Sequence, residues 1–528
     1  MTVGARTAPA AESSARLPLS PRWSRRVILL ATLLCAICGF VYELVLVAMG
    51  TVLLGSSTAQ TAMVLGTFVA AMGVGSWLAT KLPRSRPVEC FVAVEATVAL
   101  LGGLSAMALF ASFAWLDLYE PTVRALSVAL GVLVGAEIPL LTRIVGRIRA
   151  ERADETVGTL LAADYVGAFV VGLAFPLYLL PTVGRIDAAL IFGAVNVGGG
   201  AIVLWLMRHE LSRPAAGWLV AALLGVLGLL ALAGSQAQAF ELTARQVLYD
   251  DPIVHTEQTR HQEITITRSG DGRDLRLFLN GDLQFSSLDE YRYHEALVHP
   301  AMAGPHERVL VLGGGDGLAL REVLAYPGVR RAVEVELDSR MLALARGRAE
   351  LRELNRGALE DPRVELVVAD AFKWLRQGSE RFDVVIVDFP DPDSEDLAKL
   401  YSSELYGMVA RRHLSPGGRM VVQAGSPFFA PEAFWGIERT VRSAGLETVP
   451  YHVDVPSFGD WGFVLAGAGR KPELALRAPA PLRFLDDRVL AGATAFPRDR
   501  ARDAYDVRAS TLDRPTVVEY SRRGWRDE

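Results

Sequence analysis

The chain has 528 residues, of which 51% are hydrophobic, yet 21% are Asp, Glu, Lys or Arg and the net charge is −5. A mean hydropathy of +0.27 is too apolar for an ordinary soluble enzyme, and an acidic balance with no basic run interleaved with aromatics gives no case for nucleic-acid binding. The charges are segregated: apolar runs fill the stretch from about Arg26 to Gly234, and charged residues recur every few positions from Phe240 onward, so a membrane half precedes a soluble half.

Residues 1–25, rich in Ala, Ser and Pro, read as a disordered cytoplasmic tail. A seven-span membrane domain over 26–238 follows, with spans at Val27 to Val47, Ala59 to Thr80, Cys90 to Phe110, Ala125 to Val145, Leu160 to Leu180, Asp187 to Met207 and Trp218 to Leu232. Each is near the roughly 20 residues a helix needs to cross a bilayer, and their repetition rules out a cleaved signal peptide as the main explanation. Basic residues crowd alternate connections: Arg22, Arg25 and Arg26; Lys81, Arg84 and Arg86; Arg143, Arg147, Arg149 and Arg152; Arg208 and Arg213. That pattern places the N-terminus in the cytoplasm of a multi-pass inner-membrane protein, and seven spans then put the soluble half outside.

Four carboxylates fall inside the spans: Glu43, Glu95, Glu137 and Asp164. Because charge is costly at bilayer depth, they read either as helix-to-helix hydrogen-bonding groups or as a polyamine or cation pathway. All three cysteines, Cys35, Cys38 and Cys90, lie in or at the edge of spans. Cys35 and Cys38 have CxxC spacing but lack partner ligands in sequence, so they read as small packing residues and no metal site is expected.

The soluble half opens with alternating segments, EITITRS and DLRLFLNGDLQFSS, with Asn280 and Gly281 at a hairpin turn, which predicts a β-hairpin subdomain over 239–300. A helix over Glu290 to Met302 leads into βα repeats over 301–470. Strands are expected near Arg308 to Leu312, Arg331 to Glu336, Val364 to Val368, Asp383 to Val387 and Gly418 to Gln423, with a closing antiparallel pair near Thr448 to Val455 and Gly462 to Ala466. This is an α/β Rossmann-like sheet of the class-I methyltransferase type, and residues 471–528 form a C-terminal extension.

Val309 to Asp338 is the most informative stretch: a buried strand, the glycine-rich turn GGGDG, a helix and a second strand ending in acids make a nucleoside-binding βαβ unit. Asp316 inside the turn suits a ligand with a cationic tail. Asp316, Glu336, Asp370 and Asp388 all fall at carboxyl ends of strands, where such sheets bind ligands. Glu336 is placed to accept both ribose hydroxyls, and Asp370 to accept an adenine amino group while Ala371 packs at the base. The alternative is that strand-end acids simply cap the helices that follow.

The segments QFSSLDEYRYHEALVHP, GGGDG, VEVELD, VVADAF and VDFPDP, in this order, resemble those of the polyamine aminopropyltransferases, the spermidine synthases, over roughly Val254 to Ala466. GFVYEL, GAEIPLLTR and AADYVGAF in the membrane half, with YHVDVPSFGDWGFVLAG and STLDRPTVVEYSRRGW, look similar to the membrane-bound bacterial branch of that family. The resemblance implies transfer of an aminopropyl group from decarboxylated S-adenosylmethionine, a co-substrate and not a tightly bound cofactor, to a diamine such as putrescine, releasing methylthioadenosine. It implies that Asp388 is the catalytic base, that Asp391 helps grip the acceptor, that Tyr293 and His294 flank the acceptor channel, and that Gln262 contacts the nucleoside. The chemistry agrees. A diamine is a dication, so one carboxylate must anchor the far ammonium and another must take the proton of the attacking nitrogen.

Departures from the family pattern concern the acceptor. His261 stands where a tyrosine is usual, Phe389 and Pro390 replace two small hydroxyl residues, DSEDL replaces a glycine-proline pair, and Phe458 is nearest to an acceptor-lining tyrosine. The implied partners are a polyamine, a nucleoside sulfonium and the lipid bilayer, with a homodimer or homotetramer as the implied assembly. Two other readings are an S-adenosylmethionine-dependent methyltransferase, disfavoured by Asp316 and DFPDP, and a polyamine transporter or sensor whose soluble domain binds without turnover. The donor is made in the cytoplasm, against the outward side given by the span count.

Overall fold

Apolar runs without turn residues in the first half fold as helices in the computed structural model, which describes residues 18–54, 58–148 and 153–525. They are α1 (Pro21–Leu54), α2 (Thr58–Ala79), α3 (Pro87–Gly103), α4 (Ser105–Ala114), α5 (Tyr119–Ile148), α6 (Ala153–Ala174), α7 (Leu180–Val183), α8 (Arg185–Leu206) and α9 (Arg213–Gln246). Six are long and apolar enough to cross a bilayer, and α3 with α4, bent by 41° at their junction, makes a further candidate. Inward faces bury Tyr42, Phe68 and Phe91, whereas Tyr165, Phe169 and Trp218 stand exposed. Apolar side chains thus both fill the interior and stand on the exterior of these helices.

Several expectations shift. Residues 1–17 of the tail lie outside the described residues, but Arg22 to Arg25, assigned to that tail, belong to α1. Their neighbours Pro21 and Trp23 fit a helix start, since proline at a helix N-terminus lacks only an N–H that would be unpaired anyway. The third span is broken at Leu104, after the helix-weakening pair Gly102 and Gly103. The fifth ends in a wide π turn over Phe175–Leu179, where Pro176 withholds a backbone donor. The seventh segment runs far beyond Leu232: α9 continues to Gln246, supported by the i,i+4 pair Glu241–Arg245 at 2.7 Å. The two units of the chain therefore divide at Leu248/Tyr249 and not at 238/239.

The second unit begins with a four-stranded antiparallel sheet, β1 (Ile253–Gln258), β2 (Glu263–Arg268), β3 (Leu275–Leu279) and β4 (Asp282–Ser286), in the order β1-β2-β3-β4. Asn280 and Gly281, at φ 54° and 97°, form the left-handed two-residue turn that matches strand twist between β3 and β4. Strand β1 was not expected. Its sequence IVHTEQ is polar, and it is held by its pairing with β2.

Next come α10 (Glu290–Met302), β5 (Arg308–Gly313), α11 (Leu318–Leu324), β6 (Arg331–Glu336), α12 (Ser339–Gly347), α13 (Ala349–Leu354), β7 (Val364–Val368), α14 (Ala371–Gln377), β8 (Phe382–Asp388), β9 (Leu414–Gln423), β10 (Leu446–Val455) and β11 (Gly459–Ala468). The strands make one sheet in the order β10-β11-β9-β8-β5-β6-β7, parallel from β9 to β7 and closed by the antiparallel pair β10 and β11. Both faces are covered, so β5 and β8 read as nearly continuous apolar runs, with Val309 to Leu312 and Val384 to Val387 all at 0% exposure. The chain order reverses between β5 and β8, the topological switch point beyond whose carboxyl ends ligands bind.

The C-terminal extension is ordered by a few buried polar contacts. Glu295 accepts the backbone N–H groups of Arg483, Phe484 and Leu485, each at 2.9 Å. The helix Thr516–Gly524 packs on Pro431–Ser443, and from it Arg522 Nε donates to the carbonyl of Asp393 at 2.8 Å.

Candidate active site

The turn after β5 is shaped by what it approaches. Gly313, at φ 82°, lies so close to β8 that a Cβ there would stand 2.2 Å from the Asp388 carbonyl, and a Cβ on Gly315 would meet the Glu336 carboxyl at 2.9 Å. Larger residues would push the turn off both acids. Asp316 Oδ1 accepts the Leu318 N–H at 2.8 Å, and Asn355 Nδ2 pins the Asp316 carbonyl at 2.9 Å. Burial, offset by nearby His294 and reinforced by Asp388, pushes the Asp316 carboxyl up to about 6.

Asp388, the last residue of β8, meets α10. Tyr293 Oη donates to Asp388 Oδ1 at 2.6 Å. Burial and then the Asp388 charge push the Tyr293 phenol well above its ordinary value, so it remains a donor at neutral pH. Burial raises Asp388 as well, against the opposing influence of His294 and the Tyr293 hydrogen bond. His294 does not face solvent: it is 2% exposed, with Nδ1 3.0 Å from Glu290 Oε2, and Glu290 takes both terminal nitrogens of Arg321 at 2.8 Å. Burial alone would lower His294, but the Glu290 carboxylate outweighs it and the imidazole is raised.

The loop after Asp388 rests on β9. Gln423 Nε2 donates to Asp391 Oδ1 at 3.0 Å and to the Phe389 carbonyl at 2.7 Å, and Tyr401 Oη donates to the Pro390 carbonyl at 2.9 Å. Burial, opposed by Gln423 and helped by Asp393, pushes Asp391 up to about 6. Phe458 packs edge-on to Tyr293, centroids 5.8 Å apart, and lies 4.9 Å from Trp461, so aromatic rings wall this end of the site.

On the other side, Glu336 Oε1 accepts the Asp338 N–H at 2.8 Å, and burial raises Glu336 to about 7. Thr259 Oγ1 donates to Asp338 Oδ2 at 2.6 Å, which docks the β1–β2 loop bearing His261 and Gln262 beside the second strand end. Asp370 behaves differently. Its Oδ1 caps α14 through the Lys373 N–H at 3.0 Å, its Oδ2 pairs with Lys399 at 2.7 Å, and these contacts overcome burial to hold it low. Ala371, next to it, is buried. Helix capping thus describes part of what Asp316 and Asp370 do, and none of what Asp388 or Asp391 does.

Several contributors were not singled out in the sequence: Gln423 and Tyr401 beneath the loop, Thr259 and Asp338 where the β1–β2 loop docks, Lys399 on Asp370, and the acids Asp282 and Asp393. Asp282, first residue of β4, neighbours Asp393 and Asp391; partial burial and then those two charges raise its carboxyl. Gln423 ends a central parallel strand, a position that could have flagged it. The others depend on contacts between distant segments.

A family model of the spermine/spermidine synthase domain matches residues 290–477. Over 513 residues, 96% of each chain, the sequence is 53% identical to polyamine aminopropyltransferase 1 of Streptomyces coelicolor. The chain belongs to the polyamine aminopropyltransferase family. The aminopropyltransferase of Mycobacterium tuberculosis is 47% identical over 519 residues, 96% of this chain and 97% of that one. A crystal structure of spermidine synthase in complex with the transition-state analogue AdoDATO is 27% identical, covers 46% of this chain and 85% of that one, and has a TM-score of 0.43. The protein is thus a polyamine aminopropyltransferase, a spermidine synthase-like transferase, and the methyltransferase and non-catalytic readings of its α/β domain fall away.

Proposed function

We propose that this aminopropyltransferase takes decarboxylated S-adenosylmethionine as donor and putrescine as acceptor, giving spermidine and methylthioadenosine. One observation supports this above the rest. Asp316, Asp388 and Asp391 accept hydrogen bonds from Leu318 N–H, Tyr293 and Gln423, and among the described residues none is paired with a lysine or arginine. Acids just outside this row are paired, Asp370 with Lys399 and Glu290 with Arg321. A row of raised, unpaired carboxylates attracts cations and repels the carboxylate of intact S-adenosylmethionine.

In this reading Glu336 holds the ribose hydroxyls, Asp370 and Ala371 the adenine, with Gln262 above the nucleoside, and Asp316 the terminal ammonium of the donor. Asp391 grips the far ammonium of the acceptor, with Tyr293 and His294 beside the channel. Asp388 accepts the proton of the attacking nitrogen. That nitrogen then forms a bond to the aminopropyl carbon attached to sulfur, the carbon–sulfur bond breaks, and sulfur keeps the electron pair as a neutral thioether. Tyr293 orients the Asp388 carboxylate and, as a proton donor, cannot compete for the proton.

The test is ligand binding to wild type and Asp316→Asn. The variant is expected to bind decarboxylated donor more weakly by about 1–3 kcal/mol, the range for a charge-assisted hydrogen bond, and to bind methylthioadenosine as wild type does. Equal weakening of both would make Asp316 structural. Protons compete for the same group. With Asp316 at about 6, donor affinity in wild type should fall as pH drops through 6, by about tenfold per unit at most, while methylthioadenosine affinity stays level. Stability of the ligand-free protein has the opposite sign. A carboxyl raised by folding stabilises the fold fully below its unfolded value, near pH 4, and that contribution is lost as pH rises through 6.

We further propose that the helical unit spans the inner membrane as a multi-pass domain. The support is the set of long apolar helices and their exposed Tyr165, Phe169 and Trp218.

A further inference from the structure

The helical unit contains a polar cluster that aminopropyl transfer does not use. Cys35 of α1, Glu95 of α3 and Glu137 of α5 come from three helices, yet one ligand atom of each lies within 4.8 Å of the others. Their exposures are 1%, 0% and 4%. Asn196 of α8 joins them: its Nδ2 donates to the Glu95 carbonyl at 3.1 Å, and its Oδ1 is buried without a hydrogen-bond partner. One carboxylate oxygen of Glu137 is likewise buried and unpartnered, and the Glu95 carboxylate faces the Cys35 thiol and the Asn196 amide. Helix α8 comes close enough because it presents glycine there; a Cβ on Gly200 would stand 3.1 Å from Glu95 Cβ.

Two carboxylates and a thiol this close in an apolar interior cannot all be ionised without a cation. The donor types narrow the choice. Magnesium and calcium take oxygen ligands in larger numbers and rarely sulfur, and a thiol adds little to the binding of an alkylammonium. A thiolate with two carboxylates is a three-donor set suited to a borderline-soft ion of the zinc class. Cys38 is not part of it, because its Sγ is directed to the Phe192 carbonyl at 3.4 Å. The CxxC spacing is therefore incidental, and the partners of Cys35 come from other helices.

We propose that Cys35, Glu95 and Glu137 bind a zinc-class divalent cation that ties α1, α3 and α5 together. Binding displaces the thiol proton of Cys35 and any proton held by Glu95 or Glu137; nothing is oxidised or reduced. With three buried donors drawn from three helices, the ion acts as a structural cross-link between them.

The experiment uses the full chain purified in detergent without chelator and equilibrated with zinc or cobalt(II). The expected result is about one ion per chain, as for a structural site, and with cobalt a thiolate-to-metal charge-transfer band in the near ultraviolet. Cys35→Ser should lose the band and Glu95→Gln should lower the metal content, while Cys38→Ser keeps both. A wild-type content below about a tenth of an ion per chain, or a thiolate band that persists in Cys35→Ser, would overturn the proposal. The wild-type measurement stands even where a variant fails to fold.

Discussion

Tyr293 donates a hydrogen bond to Asp388, and burial raises the carboxyl while leaving it an acceptor. Asp388→Asn keeps the shape and the Tyr293 contact but cannot take a proton. Turnover should fall by about 10² to 10⁴, the usual contribution of a general base, with methylthioadenosine binding unchanged because Glu336 and Asp370 are untouched. Steady-state kinetics and calorimetry on the same preparation check this, and near-normal turnover would remove Asp388 from the proton transfer. Residues such as Asp388 and Asp316 were legible in the sequence because each ends a strand or sits in a turn whose pattern is local. Asp282 and Asp393 were not: they occupy the start of a strand and a loop in segments far apart in the chain, and their meeting exists only after the β3–β4 hairpin folds.

Among elements, the strands of the large sheet were the most readable, since burial on both faces writes each as a short apolar run. The polar strand β1 and the extended α9 were hidden for the opposite reason: their composition resembles a loop, and pairing with β2 or helical ion pairing decides the outcome. The C-terminal helix Thr516–Gly524 reaches the site through Arg522, whose Nε donates to the Asp393 carbonyl and helps fix the loop that carries Asp391. Arg522→Ala should therefore raise the KM for the amine several-fold, to about tenfold for the loss of one charged hydrogen bond, with kcat and donor affinity nearly unchanged. A fall in kcat with no change in amine KM would show that the helix supports something other than the acceptor loop.

At the scale of the whole molecule, the two units differ in composition, with apolar runs in the first and recurrent charges in the second. The apolar helices of the first half were visible from hydropathy, whereas their interior chemistry was not, because Cys35, Glu95 and Glu137 converge from separate helices. If α3 and α4 together make one crossing, the count is odd and the arginine-rich connections place the C-terminus outside. Alkaline phosphatase fused after Glu528 should then be active and a green fluorescent reporter there dark; the reverse would mean that one segment does not span. The central claim concerns the reaction and its cationic substrates, and product analysis reaches it most directly. The full-length protein is incubated with decarboxylated or intact S-adenosylmethionine and a panel of amines, and the products are identified by mass. Methylthioadenosine and spermidine in equal amounts, formed only from the decarboxylated donor with putrescine, is the predicted result. Turnover of intact S-adenosylmethionine, or transfer to other amines with none to putrescine, would contradict it.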